Sequence, residues 1–204
     1  MIVIVDYGLG NLGSVKNMLR KIGEDSIITS DPAQILKSTK LILPGVGSFD
    51  AGITKIRNLG IEEVLNEMAM IKKIPILGIC LGAQLMTKSS DEGSEPGLGW
   101  FDAHTKKFDH NDIEGKWPLP NIGWRNVQAI NEYSLLKQFD CSRFYFVHSY
   151  VLTPHDSSIV SLTSKYGYEF ACGLSKNNLH CVQFHPEKSH SFGMKFLENF
   201  VNLV

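Results

Sequence analysis

The chain has 204 residues, enough for one domain whose core needs no disulfide or metal staple. Hydrophobic residues make up 43% and charged residues 20%, and the net charge of −1 leaves no footprint for nucleic acid or an anionic membrane surface. Four cysteines (Cys80, Cys141, Cys172, Cys181) show neither C-x-x-C spacing nor the density of a disulfide scaffold, which points to a reducing compartment and a cytoplasmic protein.

Ile2 to Val5 is a β-branched run, as in a parallel strand covered on both faces, and is too short for a signal peptide. Leu12, Val15, Met18, Leu19 and Ile22 repeat with a helical period across Asn11 to Ile22. Ser26 to Thr29 and Leu41 to Leu43 read as strands, the latter stopped by Pro44-Gly45. Phe49 to Met70 reads as helix interrupted near Asn58-Leu59-Gly60. Ile74 to Ile79 is the next strand, and Gly82 to Lys88 the next helix. This alternation implies a mostly parallel sheet with helices on both faces. Gly93 to Trp124, rich in glycine, proline and charge, receives no element. Phe144 to Val147, Ser158 to Thr163, Glu169 to Leu174 and Leu179 to Phe184 read as strands, the last two joined by a turn at Ser175 to Asn178. A helix over Ser191 to Val204 closes the chain. The expectation is one α/β domain over residues 1–204 with an antiparallel extension, and no apolar run spans a bilayer.

The sharpest chemical signal is Gly78-Ile79-Cys80-Leu81-Gly82, an apolar strand running through Gly-x-Cys-x-Gly into a helix. This is the pattern of a nucleophile elbow with Cys in place of Ser. It lifts Cys80 out of the sheet at a helix N-terminus, where partial positive charge favours thiolate, and leaves the Leu81 N–H as an oxyanion donor. A buried structural thiol is the ordinary fate of a cysteine, and Cys141, Cys172 and Cys181 are read that way. A nucleophilic cysteine needs a base and a group to orient it. His185-Pro186-Glu187, at the end of a strand, supplies both, because residues two apart in extended chain share a side. His180, His185 and His190 recur every five residues, which fits no zinc pattern, so no metal is expected. Pro44-Gly45-Val46-Gly47-Ser48 could supply a second oxyanion amide or be a plain strand–helix turn. Val147-His148-Ser149-Tyr150 offers polar groups at the same sheet edge.

Gly8-Leu9-Gly10-Asn11-Leu12-Gly13 matches the dinucleotide fingerprint G-x-G-x-x-G, with Asp31 placed near where a ribose-binding acid would lie. With the other strand ends spent on acyl-transfer chemistry and no hydride-transfer domain evident, the nucleotide reading ranks far below the acyl-transfer one.

Together these segments resemble the class I (triad) glutamine amidotransferases, and more closely the glutaminase subunit of imidazole glycerol phosphate synthase. The resemblance spans essentially the whole chain. It rests on Asp6-Tyr7-Gly8-Leu9-Gly10-Asn11, Leu43 to Phe49, Leu77 to Leu85, Gly97-Leu98-Gly99, Gly123-Trp124, Phe144 to Tyr150 and Val182 to Glu187. It implies a flavodoxin-like fold and no cofactor. The triad maps onto Cys80, His185 and Glu187, and the oxyanion donors onto Leu81 and Val46. The glutamine pocket maps onto Gly47, Gln84, Glu92, Ser149 and Tyr150, with His148 close by and Glu92 set to pair with the α-ammonium. The resemblance further implies L-glutamine as substrate and a (β/α)₈-barrel cyclase as heterodimer partner. That cyclase takes the ammonia and makes imidazole glycerol phosphate and aminoimidazole carboxamide ribotide in histidine biosynthesis. The glycine-rich first turn then needs no nucleotide.

One segment departs from that family. P-H-x-G-W-N near the cyclase interface reads Pro120-Asn121-Ile122-Gly123-Trp124-Arg125. A paralogous glutaminase feeding a surface-polysaccharide sugar-amidating enzyme is therefore an alternative. A non-catalytic subunit on the same scaffold is another, although Cys80, His185 and Glu187 are all present. A triad hydrolase of similar fold acting on peptides or γ-glutamyl amides is a third.

Overall fold

The computed structural model describes residues 1–109, 117–130, 133–139 and 142–204. Twelve strands are β1 (Ile2–Val5), β2 (Ser26–Thr29), β3 (Lys40–Gly45), β4 (Ile76–Cys80), β5 (Ser89–Ser90), β6 (Ala103–Lys107), β7 (Asn121–Ala129), β8 (Arg143–His148), β9 (Tyr150–Pro154), β10 (Val160–Tyr166), β11 (Tyr168–Lys176) and β12 (Leu179–Val182). The α-helices are α1 (Leu12–Lys21), α2 (Pro32–Ile35), α3 (Phe49–Asn58), α4 (Glu62–Asn66), α5 (Leu81–Leu85) and α6 (His190–Leu203), and a π turn over Glu67–Ile71 continues α4. No helix among the described residues is long and apolar enough to cross a membrane.

The main sheet runs β2-β1-β3-β4-β12-β11-β10-β7-β8, and β5-β6-β9 form a second, small sheet. From β2 to β12 every pairing is parallel, and from β12 to β8 every pairing is antiparallel. The antiparallel part is therefore as wide as the parallel part, and the sheet is mixed rather than mostly parallel. The excess is β7, nine residues that begin inside the stretch given no element. β3 also does not stop before Pro44-Gly45. It carries both residues, with Pro44 opposite Ile79 and Gly45 opposite Cys80, while its pairing to β1 ends at Ile42. Proline lacks an N–H to give to a neighbour, and beyond Ile42 no β1 residue asks for one.

Two apolar clusters cover the two faces. One gathers Val3, Leu43, Phe49, Ile53 and Leu85, and the other Ile4, Leu77, Phe144, Phe184, Phe196 and Phe200. α6 is tied down at its C-terminus by Lys40, whose Nζ donates to the carbonyls of Phe200 (3.1 Å), Val201 (2.8 Å) and Val204. Those are carbonyls a helix end leaves unsatisfied, and a cation there also meets the negative end of the dipole.

The glycine-rich first turn is absorbed by packing. A Cβ on Gly10, at φ +110°, would lie 3.1 Å from Gly45 Cα, so the turn presses against the end of β3. Asn11 caps α1 through Ser14 N, and Asp31 caps α2 through Ala33 N.

Candidate active site

Cys80 joins β4 to α5 with φ 53° and ψ −108°, a conformation that strains any residue with a Cβ. Its neighbours force the sharpness of the turn. A Cβ on Gly82 would sit 1.7 Å from the Leu43 carbonyl oxygen, and one on Gly78 2.4 Å from Met86 Sδ. Both glycines of the Gly-x-Cys-x-Gly motif are thus required by close approach, and the elbow expected from them is present. The Leu81 N–H opens α5, where first-turn amides have no helical partner.

His185 follows β12 and is anchored twice. Its backbone N–H donates to the Tyr145 carbonyl at 2.9 Å, and its carbonyl accepts from Ser189 Oγ at 2.6 Å. Ser189 Oγ in turn accepts from Tyr145 N, so a serine that carried no signal in the sequence clamps His185 onto β8. Phe184, the preceding residue, stacks on Phe144 with centroids 4.0 Å apart. Glu187 Oε1 lies 2.6 Å from His185 Nδ1, and both side chains are almost wholly buried, at 4% and 1% exposed. The Nδ1–H therefore donates to the carboxylate, leaving Nε2 for chemistry. Nε2 is buried, and with Nδ1 given to Glu187 it is the ring nitrogen that interacts with Cys80. Burial pulls the ring towards neutrality, but the Cys80 charge and then Glu187 outweigh it and push its pKa up to about 10.

The other buried thiols differ. Burial raises Cys172 well above its ordinary value and pushes Cys181 up to about 12, so both stay protonated as inert core groups. Cys141 lies outside the described residues.

A cleft of about 210 Å³ opens over Cys80, lined by Val46, Gly47, Leu81, Gln84, Glu92, Ser149 and Tyr150 together with Pro120, Val147 and His148. The residues expected at the glutamine pocket thus converge on one opening from four separate segments. Two of them have prior commitments. Glu92 Oε2 accepts from Phe49 N at 2.8 Å, capping the start of α3, and Gln84 Nε2 donates to Gln183 Oε1 at 3.1 Å. Burial, then the charges of Glu92 and Asp91, holds the Tyr150 phenol protonated above its ordinary range.

Asn121, the residue where the family segment has His, turns inward. It is fully buried, and its Nδ2 meets His148 Nε2 at 2.9 Å, while His148 Nδ1 donates to the Tyr150 carbonyl at 2.7 Å. Burial drives the His148 pKa down to about 4, so a neutral ring with a fixed tautomer lines the cleft. Arg125 folds back as well. Its guanidinium lies 4.8 Å from the Tyr166 ring centroid and donates to the carbonyls of Trp124 and Ile122.

A nucleophile at an elbow, a base held by a buried carboxylate and a small polar cleft above them are the parts of acyl transfer through a thioester. The family model for class-I glutamine amidotransferases matches residues 3–203. A subunit of imidazole glycerol phosphate synthase from Methanococcus maripaludis, HisH 2, is 50% identical over 202 residues, covering 98% of each chain. HisH 2 of Pseudomonas aeruginosa is 44% identical with 100% of each chain covered. A solved glutamine amidotransferase superposes with a TM-score of 0.77 at 17% identity, over 100% of this chain and 98% of that one, which speaks for the fold. The chain belongs to the class I glutamine amidotransferases, in the branch of the HisH subunits of imidazole glycerol phosphate synthase.

Proposed function

We propose that the chain, acting as a single domain, hydrolyses L-glutamine to glutamate and ammonia and hands the ammonia to a synthase subunit. The observation that carries this is the strained Cys80 elbow at the floor of the cleft, backed by the buried His185–Glu187 pair. His185 Nε2 takes the thiol proton, and Cys80 Sγ attacks the side-chain amide carbon. The oxyanion is received by the N–H groups of Leu81 and Val46. His185 returns its proton to the leaving nitrogen, the C–N bond breaks, and ammonia departs from a γ-glutamyl thioester. A water then loses a proton to His185 and attacks the thioester. Glutamate leaves as the C–S bond breaks. Gly47, Gln84, Glu92, Ser149 and Tyr150 hold the substrate in the cleft.

Free ammonia is protonated in bulk water at neutral pH, so the product is useful only when delivered directly. The relatives are subunits of imidazole glycerol phosphate synthase, which supports a (β/α)₈-barrel cyclase of histidine biosynthesis as the heterodimer partner. A second destination, an amidating enzyme of surface sugars, is favoured by Asn121 and Arg125, where the chain departs from the family segment. Co-purification from the native source decides between them. Capture of a cyclase that stimulates ammonia release supports the first destination, and capture of a sugar-amidating enzyme supports the second. Recovery of an active chain with no synthase bound contradicts both.

A further inference from the structure

Gln183 sits just past β12 with its side chain fully buried, 0% exposed, and its backbone N–H donated to the Cys172 carbonyl. Its Oε1 accepts from Gln84 Nε2 at 3.1 Å, and its own Nε2 lies 3.7 Å from Cys80 Sγ. The Val147 carbonyl oxygen lies 3.9 Å from the same sulfur. The two contacts suit different protonation states. A thiol has a proton to give and finds its acceptor in Val147. A thiolate has only lone pairs and needs donors, and an amide N–H supplies one at any pH, whereas His185 supplies one only while protonated. Gln84 fixes which end of the Gln183 amide faces the sulfur, since its own N–H occupies the oxygen.

We propose that Gln183 is a catalytic hydrogen-bond donor to the Cys80 thiolate, oriented by Gln84. This rests on Cys80 being the nucleophile. Cys80 is 7% exposed, so little water is at hand to solvate its anion, and a fixed amide takes water's place. The donor acts twice. It favours the thiolate before attack on the amide, and favours it again as the sulfur leaves the thioester. Gln84 then has a role beyond touching substrate, because it holds the amide that faces the nucleophile.

The test is the pH dependence of Cys80 alkylation by iodoacetamide in the full chain, read by peptide mass mapping, with Cys80→Ala as the blank. Gln183→Leu removes the donor and should move the alkylation midpoint up by about one pH unit, a tenfold loss of thiolate at any pH well below the wild-type midpoint. In the same variant, bound to its partner, kcat for glutamate release should fall about tenfold below the wild-type alkylation midpoint and recover above it, with KM changed less than about twofold. Gln183→Met, which keeps the length and lacks the N–H, carries the same expectation. A folded variant whose midpoint matches the wild type overturns the proposal, and failure of both variants to fold assigns Gln183 to packing instead. The nucleophile reading fails separately, if alkylating Cys80 in the wild type leaves glutamate release intact.

Discussion

The Glu187 side chain is almost wholly buried, and its only hydrogen bond among the described residues is to His185 Nδ1, which makes it the cleanest single-atom probe of the site. Gln at this position keeps the shape, but its amide can present N–H to the ring and stabilise the wrong tautomer, with the proton on Nε2. Glu187→Gln should therefore lower kcat about a hundred- to ten-thousand-fold while KM for glutamine moves little. Steady-state kinetics with the partner present would show it, and a variant within twofold of wild type would remove Glu187 from the mechanism. Cys80, His185 and Glu187 were readable as candidates because each sits in a local pattern, Gly-x-Cys-x-Gly or His-Pro-Glu. Gln183, Ser189 and Asn121 were not, because a lone polar residue after a strand, before a helix or at a strand start looks the same whether it faces a nucleophile, a backbone or nothing.

Among the elements, α6 is fastened by a contact from a distant strand, Lys40 on β3. Lys40→Met keeps the stem over Phe200 but leaves carbonyls of the last turn without their donor. Since Lys40 remains partly solvated, the cost should be about 1 kcal/mol, lowering the melting temperature by about 2–4 °C. Calorimetry checks this, and no change would mean that water replaces the lysine. Gly82→Ala should be far worse, because its Cβ would collide with the Leu43 carbonyl, which is backbone and cannot rotate away. The expected outcome is insoluble or unfolded protein, measured by expression and circular dichroism. The parallel half was legible because β1, β3 and β4 are continuous apolar runs. β7 was not, since its apolar residues Ile122, Trp124, Val127 and Ala129 slip from even to odd positions at Arg125-Asn126, which breaks the alternation. It is a strand because β8 and β10 pair with it on both sides.

Over the whole molecule, opposite pKa shifts at buried histidines set the pH range of the fold. His148 and His180 are both driven down to about 4, chiefly by burial. Folding holds them neutral, so the stability they give is complete above about pH 6.5 and is lost as pH falls towards 4, at about 1 kcal/mol per pH unit each. His185 has the reverse sign. Pushed up to about 10, it contributes stability present below about pH 6.5 and lost as pH rises through 10. Melting temperature against pH should fall on the acid side as His148 and His180 are forced to protonate, and on the alkaline side as the His185 contribution is lost; a chain equally stable at pH 4.5 and 7 would contradict the neutral buried histidines. These sites all depend on one claim, that Cys80 forms a covalent intermediate with glutamine. The direct measurement is intact-protein mass spectrometry after rapid acid quench of the partner-bound chain turning over glutamine. A γ-glutamyl adduct on Cys80, absent from Cys80→Ala together with glutamate release, is the expected result. Glutamate release that persists in Cys80→Ala would contradict it.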